Sequence, residues 1–235
     1  MFVVKEVVKE SPDMWTLKFE SQKGVIFPYK PGQFGFFRIF GGHVKPEEHP
    51  FSISSDPSNK STLSIIIKEL GDYTSHIRNV QVGDKAHIDA PYGKFSHLNY
   101  PGEESLVLIA GGVGIAPFQS MLRYMRSNDR ERRVILLWGV NDRRDLISMS
   151  EFEEMQKDMK NFHFVPVMFK DDSYEGEKGI IDRAKIENIL KRYDHNIHDQ
   201  GYYICGPYIM LKNVISSLKS LGVERNRIHY EKLTV

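Results

Sequence analysis

The pattern of apolar residues changes near Pro101, and that change limits the fold more than any other feature of the chain. Before it the sequence reads as short strands. FVVKEVV, WTLKFE, FGFFRIF, STLSIIIKEL and KAHIDA are rich in β-branched and aromatic residues. SPD, KPGQ, GGH, SDPSN, VGD and PYG supply turn chemistry between them. One short helical turn is expected at TSHIRNV. Many short strands at this spacing predict an antiparallel sandwich or small barrel over residues 1–100.

From residue 101 to residue 235 strands and helices alternate. LVLIAGG is a continuous apolar run, as expected of a strand covered on both faces. A helix follows, with Phe118, Met121, Leu122 and Met125 at helical spacing. RVILLWG is the next strand. Ser148 then opens a helix, with Glu151 three residues on as a capping box. FHFVPVMF is a third strand, and Asp182 caps a helix carrying Ile186, Ile189 and Leu190. YYICGP is a fourth strand. Its helix runs through Leu211, Val214, Ile215 and Leu218, and Gly222 ends it. RIHYEKL closes as a fifth. This alternation predicts an α/β domain with a doubly wound, five-stranded parallel sheet.

Composition removes several functions. A hydrophobic fraction of 40% in 235 residues supplies an ordered core. Thirty-two basic against 31 acidic residues leave a net charge of +1, so no global field favours nucleic acid. The single cysteine, Cys205, excludes a disulfide, a cysteine zinc site or an iron–sulfur cluster held within this chain. His43 with His49, and His195 with His198, lack a metal-ligand pattern, so no metal is expected. No apolar run is long enough to cross a bilayer, and MFVVKEVVKE is too charged for a secretory signal. A cytoplasmic setting is the expectation.

Two turns stand out in the second half. Gly111-Gly112-Val113-Gly114-Ile115-Ala116-Pro117 ends the first parallel strand and opens a helix. Glycines let a backbone approach a pyrophosphate, and a helix N-terminus offers free N–H groups to the same anion. Pro117 stands where a third fingerprint glycine belongs, so a tight βα turn remains an equal reading. Cys205-Gly206-Pro207 follows the fourth strand and should open on the same sheet edge. Two such loops favour a ligand crevice.

Seven segments in this order resemble the ferredoxin–NADP reductase superfamily of flavin-dependent oxidoreductases: PGQF (Pro31 to Phe34), HPFSISS (His49 to Ser55), GDYTS (Gly71 to Ser75), APYGKF (Ala90 to Phe95), GGVGIAP (Gly111 to Pro117), CGPYIM (Cys205 to Met210) and HYEKL (His229 to Leu233). The resemblance implies an N-terminal antiparallel β-barrel that holds FAD and a C-terminal domain that binds NADH or NADPH. His49, Pro50, Phe51 and Ser52 match the Arg-x-Tyr-Ser motif of the family. Phe51 would stack on the isoalloxazine, and Ser52 would hydrogen-bond the flavin nitrogen that accepts hydride. Phe51 as a plain barrel-core residue is the competing reading. Histidine replaces the permanently charged arginine at position 49, which implies pyrophosphate binding that is weaker, pH-dependent or shared with Lys68, and Ile67 and Lys68 join the cofactor-binding residues the resemblance implies. A His-Pro-Phe version resembles the flavin domains of ferric reductases and NADPH oxidases, which are membrane proteins.

Gly71, Tyr73, Thr74 and Ser75 match a second phosphate element, although GDYTS also reads as an ordinary helix cap. Gly111, Gly112, Gly114, Ile115, Ala116 and Pro117 would cradle the dinucleotide pyrophosphate. Cys205 would sit beside the nicotinamide, with Gly206, Pro207 and Met210 shaping its loop. Glu231 matches a glutamate near the flavin, or is an exposed edge-strand charge. Leu233 stands where the family often has an aromatic ring. Ser52, Cys205 and Glu231 are therefore the candidate catalytic residues.

Asn141 to Arg144 follow the second parallel strand, where a carboxylate favours NAD and an arginine favours NADP. Asp142 and the Arg143-Arg144 pair point in opposite directions, and the balance leans to NADH. The resemblance implies electron delivery to a separate acceptor, such as a ferredoxin, an oxygenase component or a small oxidant. Two alternatives stay open. One is a flavin or ferric reductase using flavin as substrate, and the other is a non-enzymatic dinucleotide-binding regulatory subunit.

Overall fold

The computed structural model describes residues 1–41 and 44–232. The expectations for His43 and Leu233 fall outside the described residues. The chain divides into two compact units. The first comprises Met1–Asn99 and Ala116–Ser127, and the second comprises Tyr100–Ile115 and the described residues from Asn128 onward.

The first unit is built on six antiparallel strands: β1 (Phe2–Lys9), β2 (Met14–Ser21), β3 (Phe34–Phe40), β4 (His49–Ser52), β5 (Thr62–Lys68) and β6 (Lys85–Tyr92). They lie in the order β4-β3-β6-β1-β2-β5. An antiparallel bridge between Ile53 and Ile65 joins the two ends of that order and closes the barrel. Its interior holds Val4, Leu17, Phe19, Phe37, Ile39, Ile53, Leu63 and Ile65. Side chains alternate along β3, with Gly35, Phe37 and Ile39 buried and Phe34, Phe36 and Arg38 half-buried. Residues paired across strands share a face. The register Phe37–His49 and Gly35–Phe51 therefore puts His49 and Phe51 on the inner face, and Pro50 and Ser52 on the outer one. The helical turn at TSHIRNV is a 3-10 helix, Thr74–Asn79.

The first helix, α1 (Ala116–Asn128), groups with this unit up to Ser127. Ser120 Oγ donates to the Ser55 carbonyl at 2.6 Å, Arg123 Nη1 to the Ser54 carbonyl at 2.7 Å, and Ser127 Oγ to Asp56 Oδ2 at 2.7 Å.

In the second unit lie β7 (Ser105–Gly111), β8 (Arg133–Val140), β9 (Phe162–Met168), β10 (Glu177–Lys178), β11 (Gln200–Gly206) and β12 (Ile228–Lys232). All pair in parallel, in the order β10-β9-β8-β7-β11-β12. The five strands expected from the sequence are present, and the two-residue β10 adds a sixth at the edge. Every residue of β7 and β11 is buried, which explains their unbroken apolar runs. Helices α2 (Met149–Asp158), α3 (Arg183–Arg192) and α4 (Tyr208–Ser220) complete the crossovers.

The helix ends test the local reading. Asp182 caps α3, its carboxylate accepting from Lys185 N. Past α4, Gly222 takes φ +79°, its N–H reaches the Lys219 carbonyl, and Val223 N–H reaches that of Leu218. The capping box at Ser148 does not form. Ser148 adopts a left-handed conformation, φ 53°, and its side chain makes no capping bond. Only its carbonyl takes part, accepting from Glu151 and Phe152.

Candidate functional site

The strand order fixes where a ligand can bind in the second unit. The chain steps from β7 outward to β8, β9 and β10, then returns to the other side of β7 with β11. The switch falls between β7 and β11, and in a parallel sheet the carboxyl ends of the strands at such a switch are where a ligand binds. Both loops singled out in the sequence leave the sheet there. β7 runs into the turn Gly112–Ile115 and straight on into α1, and β11 ends in Cys205-Gly206-Pro207.

These glycines have two jobs. A Cβ on Gly114 would stand 2.3 Å from the Cys205 carbonyl oxygen, and one on Gly206 3.0 Å from the Gly111 Cα. A Cβ on Gly111 would meet Met210 Sδ at 2.6 Å and Pro207 Cδ at 2.8 Å. Gly114 and Gly206 are thus needed where the two loops pack backbone to backbone, and Gly111 where the Met210 and Pro207 side chains lie against it. Gly112 differs: its φ is +53°, nothing lies within 4 Å of its Cβ position, and its carbonyl accepts from Trp138 Nε1 at 2.9 Å. Gly112 and Val113 are half-buried, whereas Ile115, Ala116 and Pro117 are buried. The side chains of those three serve packing, and the open backbone at Gly112 is what a pyrophosphate can approach. Such an opening fits a dinucleotide.

Cys205 and Glu231 are direct partners in the parallel register of β11 and β12. Cys205 is fully buried, and burial, reinforced by the Glu231 charge, pushes its thiol pKa far up. It is a neutral, packed thiol rather than a nucleophile. Glu231 is half-buried, and desolvation raises its carboxyl pKa. It is not the freely exposed edge charge of the competing reading.

The first unit brings β4 and the Gly71–Ser75 segment together. The His49 and Tyr73 rings stack with centroids 3.7 Å apart and planes 22° apart. His49 Nε2 lies 3.5 Å from Glu47 Oε2. Even so, His49 Nε2 and Tyr73 Oη are buried polar atoms with no hydrogen-bond partner. Such atoms are costly unless a ligand satisfies them, so they fit a flavin whose phosphates and ribityl chain carry hydrogen-bonding oxygens. Phe51 is half-buried and packs on the barrel core, 6.1 Å from Phe37 between ring centroids. Its ring is therefore shared between the core and the open side. Ser52 Oγ makes no hydrogen bond within the described residues.

Three expectations in this unit need correction. Ile67 is 1% exposed and belongs to the barrel core, so its side chain is not open to a ligand. The Lys68 ammonium is taken by Asp13 at 3.1 Å. The Thr74 hydroxyl accepts from the Leu70 and Gly71 amides at 2.9 and 3.0 Å, and Ser75 Oγ donates to the Asp72 carbonyl. These hydroxyls hold their own turn. Gly71 itself is exposed.

The loop after β8 also differs from its sequence reading. Asn141 is held by its backbone, its N–H reaching Asp145 Oδ2 at 3.2 Å and its carbonyl accepting from Lys170 N at 2.7 Å. Asp142 accepts from the Arg144 amide and guanidinium. Arg143 is bound by Asp171, a residue the sequence reading passed over. Its only signal is an acidic pair, Asp171-Asp172, just past the third parallel strand.

Comparison with known proteins decides the family. Residues 2–116 match the model of an FAD-binding domain, and residues 108–215 match that of an oxidoreductase NAD-binding domain. The flavohaemoglobin-like FAD/NAD-binding domain of nitric oxide dioxygenase from Vibrio cholerae superposes with a TM-score of 0.85 at 25% identity, over 99% of this chain and 97% of that one. The chain belongs to the ferredoxin–NADP reductase superfamily. It has the two-domain form of the superfamily, with FAD- and NAD-binding parts. The reductase component of propane 2-monooxygenase from Mycolicibacterium goodii is 27% identical over 98% of this chain and 66% of its own length. A component of the Na(+)-translocating NADH-quinone reductase of Pseudoalteromonas atlantica is 33% identical over 83% of this chain and 51% of its own length. The chain thus spans between half and two thirds of these superfamily members. Among the described residues, no helix is long and apolar enough to cross a membrane.

Proposed function

We propose that this chain is a flavin-dependent reductase that passes electrons from NAD(P)H to a separate acceptor, an oxygenase component or a ferredoxin-type carrier. The observation that carries the reading is the pair of buried polar atoms that make no hydrogen bond, His49 Nε2 and Tyr73 Oη, beside the half-buried ring of Phe51. The flavin-binding part corresponds to residues 1–100 and the nicotinamide-binding part to residues 101–235. When bound, FAD supplies the redox chemistry, accepting hydride from the reduced nicotinamide and releasing its electrons to the acceptor.

The residues of the chain bind and orient. His49 and Tyr73 donate to flavin oxygens, and Ser52 offers its hydroxyl to the flavin nitrogen. Gly112 admits the dinucleotide pyrophosphate at the carboxyl ends of β7 and β11. The half-buried Glu231 would border the nicotinamide with Pro207 and Met210, while its register partner Cys205, fully buried, and Gly206 pack behind them. NADH is the preferred donor and the cytoplasm, with its reduced nicotinamide pool, the setting. The relative from P. atlantica, named as part of an NADH-quinone reductase, supports that preference.

The test is an acceptor screen on FAD-loaded protein. NADH oxidation should be slow alone and accelerate with ferricyanide or a ferredoxin-type carrier. No acceleration with any acceptor would overturn the reading.

One observation favours a variant of it, a reductase with exchangeable flavin. Lys68 is paired with Asp13, which leaves a histidine, His49, in place of a bidentate arginine at the position expected to meet the flavin pyrophosphate. Gel filtration separates the two forms: retained stoichiometric FAD supports the bound cofactor, and its complete loss with activity restored by free flavin supports the variant.

A further inference from the structure

We propose that Asp171 sets the choice of nicotinamide dinucleotide: by holding Arg143, it removes the cation that a 2′-phosphate needs, so the site takes NADH and rejects NADPH. The inference rests on reading the second unit as the dinucleotide seat, and it names the residue behind the donor preference.

The sheet register places the residues. Gly111 of β7 pairs with Gly139 of β8, so the loop after β8 leaves the sheet next to the glycine turn. In a doubly wound sheet this neighbouring strand end meets the adenosine ribose, where a carboxylate suits the 2′-hydroxyl and an arginine the 2′-phosphate. Gly139 pairs in turn with Val167 of β9. The loop after β9 is laced to the loop after β8 by Phe169 N to the Val140 carbonyl at 2.9 Å and Lys170 N to the Asn141 carbonyl at 2.7 Å. Asp171 is the next residue.

Its carboxylate grips the guanidinium with both oxygens. Arg143 Nε donates to Oδ2 at 2.7 Å and Nη2 to Oδ1 at 3.2 Å, while Nη2 also donates to Ser173 Oγ at 2.8 Å. Ser173 braces the acid, its hydroxyl donating to Oδ1 at 2.6 Å and its amide at 3.2 Å. The Asp171 side chain is 12% exposed and that of Arg143 55%, so the acid is the fixed member of the pair. Arg143 and Ser173 hold the Asp171 carboxyl ionised well below the usual carboxylate range.

Arg144 offers no substitute, because Asp142 takes its Nε and Nη2 at 3.0 and 2.8 Å. Asp145 and Asp172 add further negative charge, and Lys170 is the one remaining cation of the two segments 141–145 and 170–175. A 2′-phosphate, with about −1.5 to −2 charges at neutral pH, therefore meets a net negative wall. Freed from Asp171, the planar fork of Arg143 would suit that phosphate well.

The test uses the FAD-loaded protein and calorimetric titration with 5′-AMP and 2′-phospho-AMP, followed by KM values for NADH and NADPH. Wild type should favour 5′-AMP. Asp171→Ala should tighten 2′-phospho-AMP about tenfold, the gain of a charge-assisted contact, with 5′-AMP binding unchanged. Asp171→Asn, closer in shape, should give a smaller gain and guards against misfolding. Adding Arg143→Ala to Asp171→Ala should restore the wild-type ratio. An unchanged ratio in Asp171→Ala, or a gain that survives loss of Arg143, overturns the proposal while 5′-AMP binding upholds the dinucleotide seat. Binding of neither nucleotide by wild type overturns both.

Discussion

Adding one methyl group at Gly114 or at Gly112 should break two different things. At Gly114 the new Cβ would stand 2.3 Å from the Cys205 carbonyl oxygen, 2.6 Å from its carbonyl carbon and 3.0 Å from the Gly206 Cα. All three atoms are backbone, so no side chain can swing aside. The loops must part by at least about 0.7 Å to reach even the shortest contact that real Cβ atoms make. Overpacking of this kind costs about 2–3 kcal/mol. At about 2–4 °C per kcal/mol for a chain of this size, Gly114→Ala should lower Tm by roughly 5–10 °C. At Gly112 the Cβ enters open space, and the cost is the left-handed backbone alone, about 1 kcal/mol. Its Tm should fall by only about 2–4 °C. The methyl would, however, occupy the space through which a pyrophosphate approaches, raising the KM for NADH on the order of tenfold. Calorimetric melting and steady-state NADH oxidation of both variants measure the two effects. A Gly114→Ala protein with the wild-type Tm would refute the close approach of the loops. A Gly112→Ala protein with unchanged KM would refute the turn as the pyrophosphate seat.

Four further outcomes follow from the site geometry. Tyr73→Phe removes a buried hydroxyl without a partner, so the flavin-free protein should hold or gain stability, up to about 1 kcal/mol, while FAD retention in equilibrium dialysis falls. Ser52→Ala should slow hydride transfer in stopped-flow traces with near-normal flavin content, and an unchanged rate would remove Ser52 from the reaction. Burial raises the Glu231 pKa above its unfolded value, so its contribution to stability is intact at low pH and is lost as pH rises through the folded pKa. Glu231→Gln should therefore melt higher than wild type at pH 8, with the difference vanishing at pH 4. The buried Cys205, its pKa pushed up, should resist a thiol reagent in the native protein and react fully in denaturant.

The two patterns of the chain were legible because burial imposes a period. β7 and β11 are covered on both faces and read as unbroken apolar runs, and β3 is covered on one face and alternates. What carries no period could not be read. β10 is two residues long and held by its pairing with Val167 and Met168. α1 is tied to the first unit in part by Ser120, Arg123 and Ser127 reaching residues 54–56, polar contacts across at least 65 positions, beside the packing of Phe118 on Phe95. Ser148 has the capping sequence, but its left-handed backbone removes the geometry. The site divides in the same way. Its glycine positions were visible, yet their reason was not: of the four in the loops after β7 and β11, three are set by contact between those loops, far apart in sequence, and Gly112 is left open. Lys68 looked available until its cross-strand neighbourhood supplied Asp13, and Asp171 lies 28 residues from the arginine it holds.

Anaerobic titration of the FAD-loaded protein with NADH tests the central claim most directly. The account predicts that one equivalent of NADH bleaches the visible absorbance of the oxidised flavin, and that NADPH does so far more slowly. A flavin that stays oxidised with either nucleotide, although both the flavin and 5′-AMP are bound, would contradict it.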